Sequence, residues 1–119
     1  MQVGDKSVRL RIYVSSTDKL EHSLVSEFIV NRAHKYGMAG ATVVKGIIGF
    51  GASSIIHSYK YWEISDKVPV IIEIIDEEQK VRNFYDTIAE HLKTMRYGCM
   101  ATLEPVEILL YKSGNPPKG

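Results

Sequence analysis

Gly37-Met-Ala-Gly-Ala-Thr-Val-Val-Lys-Gly-Ile-Ile-Gly-Phe-Gly51 holds five glycines in fifteen residues around a short β-branched run. Glycine inside a regular element costs about 0.5–1 kcal/mol, so such clustering marks backbone that a Cβ would obstruct. One reading is structural: a helix stop at Gly37, a turn at Gly40 and a bulged strand end from Gly46 to Gly51. The other is functional: Gly49-Phe50-Gly51 lets a loop leave a rigid strand, with exposed amides that can meet an anion. Ala41 to Ile47 predicts a strand under either reading.

Working outward, Val8-Arg-Leu-Arg-Ile-Tyr-Val14 alternates strictly and predicts a strand with Val8, Leu10, Ile12 and Val14 on one face. Asp18, with Glu21 three residues on, stands in capping-box register, and Leu20, Leu24, Val25, Phe28, Ile29 and Ala33 follow helical spacing up to Gly37. Beyond the glycines, residues 49–67 form a connection longer than the ~12–15 residues usual in small domains, a length that points to function or disorder. Pro69 to Ile75 is a third strand, apolar on both faces except Glu73. Asp76 with Gln79 offers a second capping box, and Val81, Phe84, Tyr85, Ile88, Leu92 and Met95 trace a helix face. Cys99–Leu103 and Val106–Tyr111 read as extended, broken by Pro105. Residues 1–7 and 113–119 read as disordered ends, leaving one domain over 8–112.

The chain has 119 residues, 45% hydrophobic and 24% charged, with a formal net charge of +1, the profile of one soluble globular domain. A nucleic-acid binder would show a basic excess, so this balance argues against that class. No apolar run approaches the ~18–20 residues needed to cross a bilayer and no secretory signal precedes the domain, so a cytoplasmic location is expected. Cys99 is the single cysteine, which rules out an internal disulfide or a cysteine cage for a metal. His22, His34 and His91 share no i, i+4 spacing, and no catalytic set or metal site is visible.

The order β-α-β, loop, β-α-β predicts an α+β, ferredoxin-like fold: a four-stranded antiparallel sheet with both helices on one face. Helices cover only one side of such a sheet. Strand three nevertheless puts Val70, Ile72 and Ile74 on one face and Ile71 and Ile75 on the other. The uncovered patch is most economically buried by another copy of the chain.

Several strings in this order resemble the PII signal-transduction superfamily. Gly40-Ala-Thr-Val43 followed by Gly49-Phe-Gly51 is similar to that family's strand and its exit into a long regulatory loop. Val68-Pro-Val-Ile-Ile-Glu-Ile-Ile75 is similar to its third strand, and Leu103-Glu-Pro-Val-Glu107 with Lys112-Ser-Gly114 to its end. The similarity spans residues 8–114 and is greatest to a PII-like branch of unknown function. It implies a homotrimer with inward-facing sheets, clefts between subunits that bind an adenine nucleotide, and a loop that reaches a partner protein, such as a membrane transporter or channel or an enzyme.

Carried onto this chain, the resemblance places the cleft at Lys45, Gly49, Phe50, Gly51, Ser53, Gly98 and Lys112. The partner-facing loop would present His57, Tyr59, Tyr61 and Trp62. Three departures matter. The turn before the last strand is Arg96-Tyr-Gly-Cys-Met100, which keeps Gly98 but loses the glycine- and lysine-rich character. The family's paired arginines near the end correspond to Leu110 and Lys112. Ser53 replaces a glutamine. Each charge-assisted hydrogen bond is worth about 1.5–3 kcal/mol, so these losses leave open a different nucleotide, a different anion or no ligand.

Two alternatives stand beside the signalling reading. Acylphosphatases share the ferredoxin-like order but need a glycine-rich anion loop with an arginine between strand one and helix one, where this chain has Ser15-Ser-Thr-Asp18. Trimeric metal-associated proteins resembling the copper-tolerance proteins share the assembly but need ligands that this pattern does not supply. A non-enzymatic module is therefore the expectation.

Overall fold

The computed structural model describes residues 1–50, 57–58 and 67–115. Its spine is the pairing of β1 (Ser7–Ser15) with β7 (Pro69–Glu77), antiparallel over nine residues from Ser7 opposite Glu77 to Ser15 opposite Pro69. β4 (Thr42–Lys45) joins the far side of β7 and β8 (Met100–Val106) the far side of β1. The sheet order is β4-β7-β1-β8, all antiparallel, as the ferredoxin-like expectation requires.

Strand alternation sorts the sheet into two faces. Val8, Leu10, Ile12 and Val14 of β1 and Val70, Ile72 and Ile74 of β7 are buried beneath two helices. Helix α1 (Val25–Tyr36) contributes Val25, Phe28, Ile29 and Ala33, and α2 (Glu78–Thr94) contributes Val81, Phe84, Ile88 and Leu92. Gly37 ends α1 at φ 88°, its amide donating to the His34 carbonyl while Met38 donates to Ala33. This is a Schellman stop, and only glycine takes that backbone without strain.

Both capping boxes fail, for the same reason. Residues 19–24 form a small hairpin, β2 (Lys19–Leu20) and β3 (Ser23–Leu24), turning through Glu21 at φ 47° and His22 at φ 70°. Helix α1 therefore begins at Val25, later than the periodicity predicts, and Asp18 caps it with its backbone carbonyl, 2.8 Å from the Val25 amide. At the second site Asp76 is still in β7. Its carboxylate takes the Glu77 amide (2.7 Å) and the Ala39 amide (2.9 Å), while the Glu78 amide finds the Lys6 carbonyl (2.9 Å). Tertiary partners replace the local caps in both places.

Two further expectations are corrected. β8 runs unbroken through Pro105, which sits opposite Val8. An edge strand tolerates proline because its outer side lacks a partner. The second strand is shorter than residues 41–47. After Lys45 the chain turns, and β5 (Ile48–Gly49) pairs with β6 (His57–Ser58) instead. At the N-terminus, the strand includes Ser7, and the Gln2 amide meets the Asp5 carboxylate at 2.8 Å.

The face away from the helices carries Tyr13, Val44, Ile71, Ile75 and Met100 around a charged row. Arg11 Nε donates to Glu73 at 3.0 Å, Arg9 Nε donates to Glu104 at 2.8 Å, and Arg11 also lies 3.5 Å from Glu104. The Arg9 hydrogen bond, with help from the charges of Arg9 and Arg11, holds the Glu104 carboxyl below the usual carboxylate range. The contribution of Glu104 is therefore present above its unfolded pKa and lost as pH falls through the folded value. The urea-midpoint difference between wild type and Glu104→Gln should hold steady near neutrality, shrink between about pH 5 and pH 3, and diminish in high salt.

The glycine stretch gives a second expectation. A Cβ on residue 46 would lie 2.8 Å from Pro69 Cγ and 3.1 Å from the Pro69 carbonyl, whereas one on residue 40 meets nothing within 4 Å. Gly46→Ala should cost about 1–3 kcal/mol through overpacking and Gly40→Ala far less, as read from chemical denaturation midpoints.

Candidate functional site

β1 and β4 end, and β7 and β8 begin, at one end of the sheet. The long connection leaves and re-enters the domain here. Its entry is clasped by Pro69: the Gly46 amide donates to the Pro69 carbonyl at 2.7 Å, and a Cβ on Gly49 would stand 3.2 Å from the Pro69 ring. This clasp explains why glycine recurs at 46 and 49. Bare backbone lets two segments cross at contact distance. The structural reading of the glycines thus accounts for these two positions.

The exit is fastened to the β1–β2 connection. The Ser16 amide donates to the Val68 carbonyl at 2.8 Å, and the Val68 amide donates back to Ser16 Oγ at 3.0 Å. Lys67 Nζ lies 3.8 Å from the Asp18 carboxylate, which also accepts the Ser15 amide at 3.1 Å. Asp18 is only 2% exposed. Burial, aided by the Asp18 charge, raises the pKa of the Cys99 thiol in the turn before β8. Sequence reasoning assigned Asp18 to helix capping and passed over Lys67, because their pairing spans a separation that no local pattern reveals.

Lys45, Gly49, Phe50 and Gly98 all lie at this end of the sheet. Lys45 is exposed and forms no ion pair among the described residues. It belongs to the β4 edge, while Gly98 precedes the β8 edge. Three inter-strand spacings of about 4.8 Å separate those edges, roughly 14 Å. Lys112 follows β8 from the opposite end, where Val106 pairs with Ser7, and the adjoining Leu110 is 77% exposed. One chain does not bring these candidates into a single pocket. Gly51, Ser53, Tyr59, Tyr61 and Trp62 lie outside the described residues, and of His57 only its place in β6 is described.

Concavities among the described residues lie elsewhere. A cleft of about 230 Å³ between α2 and β8 has Leu10, Val81, Tyr85, Ala101 and Leu103 on its walls, with Arg82 and Asp86 beside them. A shallow polar hollow lies among Lys6, Glu77, Glu78 and Arg82. Neither joins a nucleophile to a base. Among the described residues no group of three or more His, Cys, Asp or Glu side chains stands together, and no helix is long and apolar enough to cross a membrane.

Residues 7–108 match the family DUF190, described as "Uncharacterized ACR". A UPF0166 protein of Aquifex aeolicus (strain VF5) is 33% identical over 109 residues, covering 92% of this chain and 98% of the relative. A UPF0166 protein of Methanocaldococcus jannaschii is 33% identical over 88 residues, covering 74% of this chain and 81% of the relative. Among solved structures, CPII, a nitrogen regulatory PII-like protein from Thiomonas intermedia K12 bound to ADP, AMP and bicarbonate, superposes with a TM-score of 0.60 at 14% identity. That match covers 92% of this chain and 94% of CPII. A putative PII-like signaling protein from Thermus thermophilus gives a TM-score of 0.59 at 17% identity, covering 91% of this chain and 93% of that one. At such identities the superpositions establish a PII-like fold.

Proposed function

The chain belongs to the DUF190 (UPF0166) family, and from that premise we propose that it is a PII-like regulatory protein without catalytic activity. It works as a homotrimer, takes a small anionic ligand of the adenine-nucleotide class in clefts between copies, and engages a partner protein through the 49–67 connection. The observation that carries this reading is the match between the two free edges of the sheet. Through the paired registers, Val43 stands level with Ala101, Val44 with Met100, and Lys45 with the residue before Met100. β4 and β8 also run in opposite directions. A cyclic arrangement with its axis along the strands therefore sets the β4 edge of one copy antiparallel to the β8 edge of the next. It places apolar rows together and closes on itself.

The same arrangement brings Lys45 and Gly49 of one copy beside Gly98 and Cys99 of its neighbour, uniting groups that a single chain keeps about 14 Å apart. The exposed Gly98 and the Lys45 ammonium suit an anion. The apolar open face around Tyr13, Ile71 and Met100 gives the copies a surface to bury, with its central charges already paired inside each chain. The ADP and AMP bound to CPII support the ligand class. The acylphosphatase alternative finds no support in the β1–β2 connection, where Asp18 is buried and engaged by backbone amides and Lys67.

Sedimentation velocity of the purified protein should give the trimer mass, and Ile71→Asp should shift it to the monomer. Calorimetric titration with ATP, ADP, AMP and cyclic nucleotides should register at least one ligand. Lys45→Ala should weaken it by roughly tenfold to a hundredfold, the effect of one charge-assisted hydrogen bond. A trimer that binds none of them would overturn the nucleotide assignment.

A further inference from the structure

We propose that the cleft between α2 and β8 is a socket for a second copy of this chain: the neighbour's β4 adds to the β8 edge and seats its Val43 over Ala101. The proposal rests on the homotrimer reading above and names the contact that closes it.

Backbone hydrogen bonding fixes which way each edge points its free groups. Along an antiparallel strand, successive residues turn their N–H and C=O alternately toward one neighbour and the other. The Gly46 amide, donating to the Pro69 carbonyl at 2.7 Å, continues the β4–β7 register by one residue. Val44 therefore also turns its backbone groups to β7, while Val43 and Lys45 turn theirs outward. The Ser16 amide, donating to the Val68 carbonyl at 2.8 Å, sets the phase of β1 against β7 in the same way. Ile12 and Val14 face β7, Arg11 and Tyr13 face β8, and their partners Thr102 and Met100 face β1. Ala101 and Leu103 are left with their amides and carbonyls on the open edge.

Val43 and Ala101 stand in one row across the sheet, through Ile72 and Ile12. Both edges thus offer a donor and an acceptor at the same level. Two copies brought together at that level exchange a pair of hydrogen bonds between these residues, whereas a one-residue offset sets outward groups against inward ones. Beyond Leu103 the ladder has a built stop. Pro105 lacks an N–H, and the Ala39 amide ahead of β4 is already given to Asp76 at 2.9 Å.

The side chains agree with the backbone. Ile72 and Ile12 are buried beneath the helices, so Val43 and Ala101 in the same row project to that side too. Val43 nevertheless remains 42% exposed. The cleft of about 230 Å³ opens beside Ala101, with Leu10 and Leu103 on its floor and Val81 and Tyr85 on its α2 wall. Ala101 contributes only a methyl group, which leaves the space that a neighbour's Val43 fills. One contact between copies covers an open apolar strand edge and an open apolar cleft together.

In a Cys99→Ala background, Val43→Cys with Ala101→Cys tests the contact by oxidation and non-reducing electrophoresis. Directly opposed, hydrogen-bonded residues stand about 5.5 Å apart at Cα, within disulfide reach. One chain keeps these positions about 14 Å apart, so any bridge joins copies. Most of the protein should run as a covalent trimer. Val44→Cys with Met100→Cys, level with each other on the open face, should crosslink as well. Val43→Cys with Met100→Cys, whose thiols project from opposite faces, should not. Ala101→Trp fills the socket and should raise the concentration at which the trimer dissociates by roughly tenfold or more. It decides the seating of Val43 even if the first cysteine pair fails to fold.

A sedimenting trimer in which neither matched pair crosslinks, or in which the mismatched pair crosslinks equally, overturns the socket and leaves the homotrimer to close through another surface. Crosslinking of the open-face pair alone, with dissociation unchanged in Ala101→Trp, overturns the seating of Val43 and leaves the cleft to another occupant. A monomer by sedimentation overturns the homotrimer reading, and the socket with it.

Discussion

The β1–β7 pairing governs everything else in this molecule. Nine residues in antiparallel register set which side chains face the helices and which face away. A one-residue slip of β1 would exchange its two sets, sending Arg9 and Arg11 into the core. The same register puts Asp76 at one end of β7 and Pro69 at the other. Asp76 anchors the α1–β4 turn through the Ala39 amide, and Pro69 receives the glycine crossing from β4. The fold's two ends are thus organised by the two ends of one strand.

That organisation separates a continuous core from the long connection along the strand axis. The buried face is continuous, from Val8 and Ile74 to Val14 and Val70, and both helices close over it. The hairpin with Glu21 and His22 at positive φ, the glycine crossing and the Gly98 turn lie at the Pro69 end, while Gly37 at φ 88° precedes the turn anchored by Asp76 at the other. Non-glycine residues at positive φ cost free energy that the surrounding structure must offset. Here the hairpin is held by Ser23 Oγ donating to the Leu20 carbonyl and by His91 Nε2, 3.3 Å from Glu21. The continuous buried face thereby supports an end whose described segments are tied by a few hydrogen bonds and by the Lys67–Asp18 and His91–Glu21 contacts.

Legibility followed the range of the interaction. The strict alternation in Val8–Val14 and the two-faced apolar pattern of Pro69–Ile75 revealed the strands, because a pleated sheet imposes its period directly on sequence. The helix face of α2 and the Gly37 stop were equally plain, since each depends on residues within one or two turns. The Asp18 and Asp76 caps were misread because a carboxylate before an apolar-periodic run has the same local signature whether it caps a helix or bonds a distant amide. Pro105 looked like a break because proline's cost depends on whether the strand is central or at an edge, which only sheet order reveals.

The amino-acid order by itself determined an α+β domain of the ferredoxin-like type, its two buried helix faces, a sheet greasy on both sides and the glycine-rich exit from its second strand. Those are consequences of periodicity and local backbone preference. Tertiary structure alone decided that Gly46 and Gly49 are small to admit Pro69, that Asp18 meets Lys67, and that Lys45 and Gly98 stand on opposite edges. Contacts between residues dozens of positions apart depend on chain closure, whose geometry no local pattern encodes.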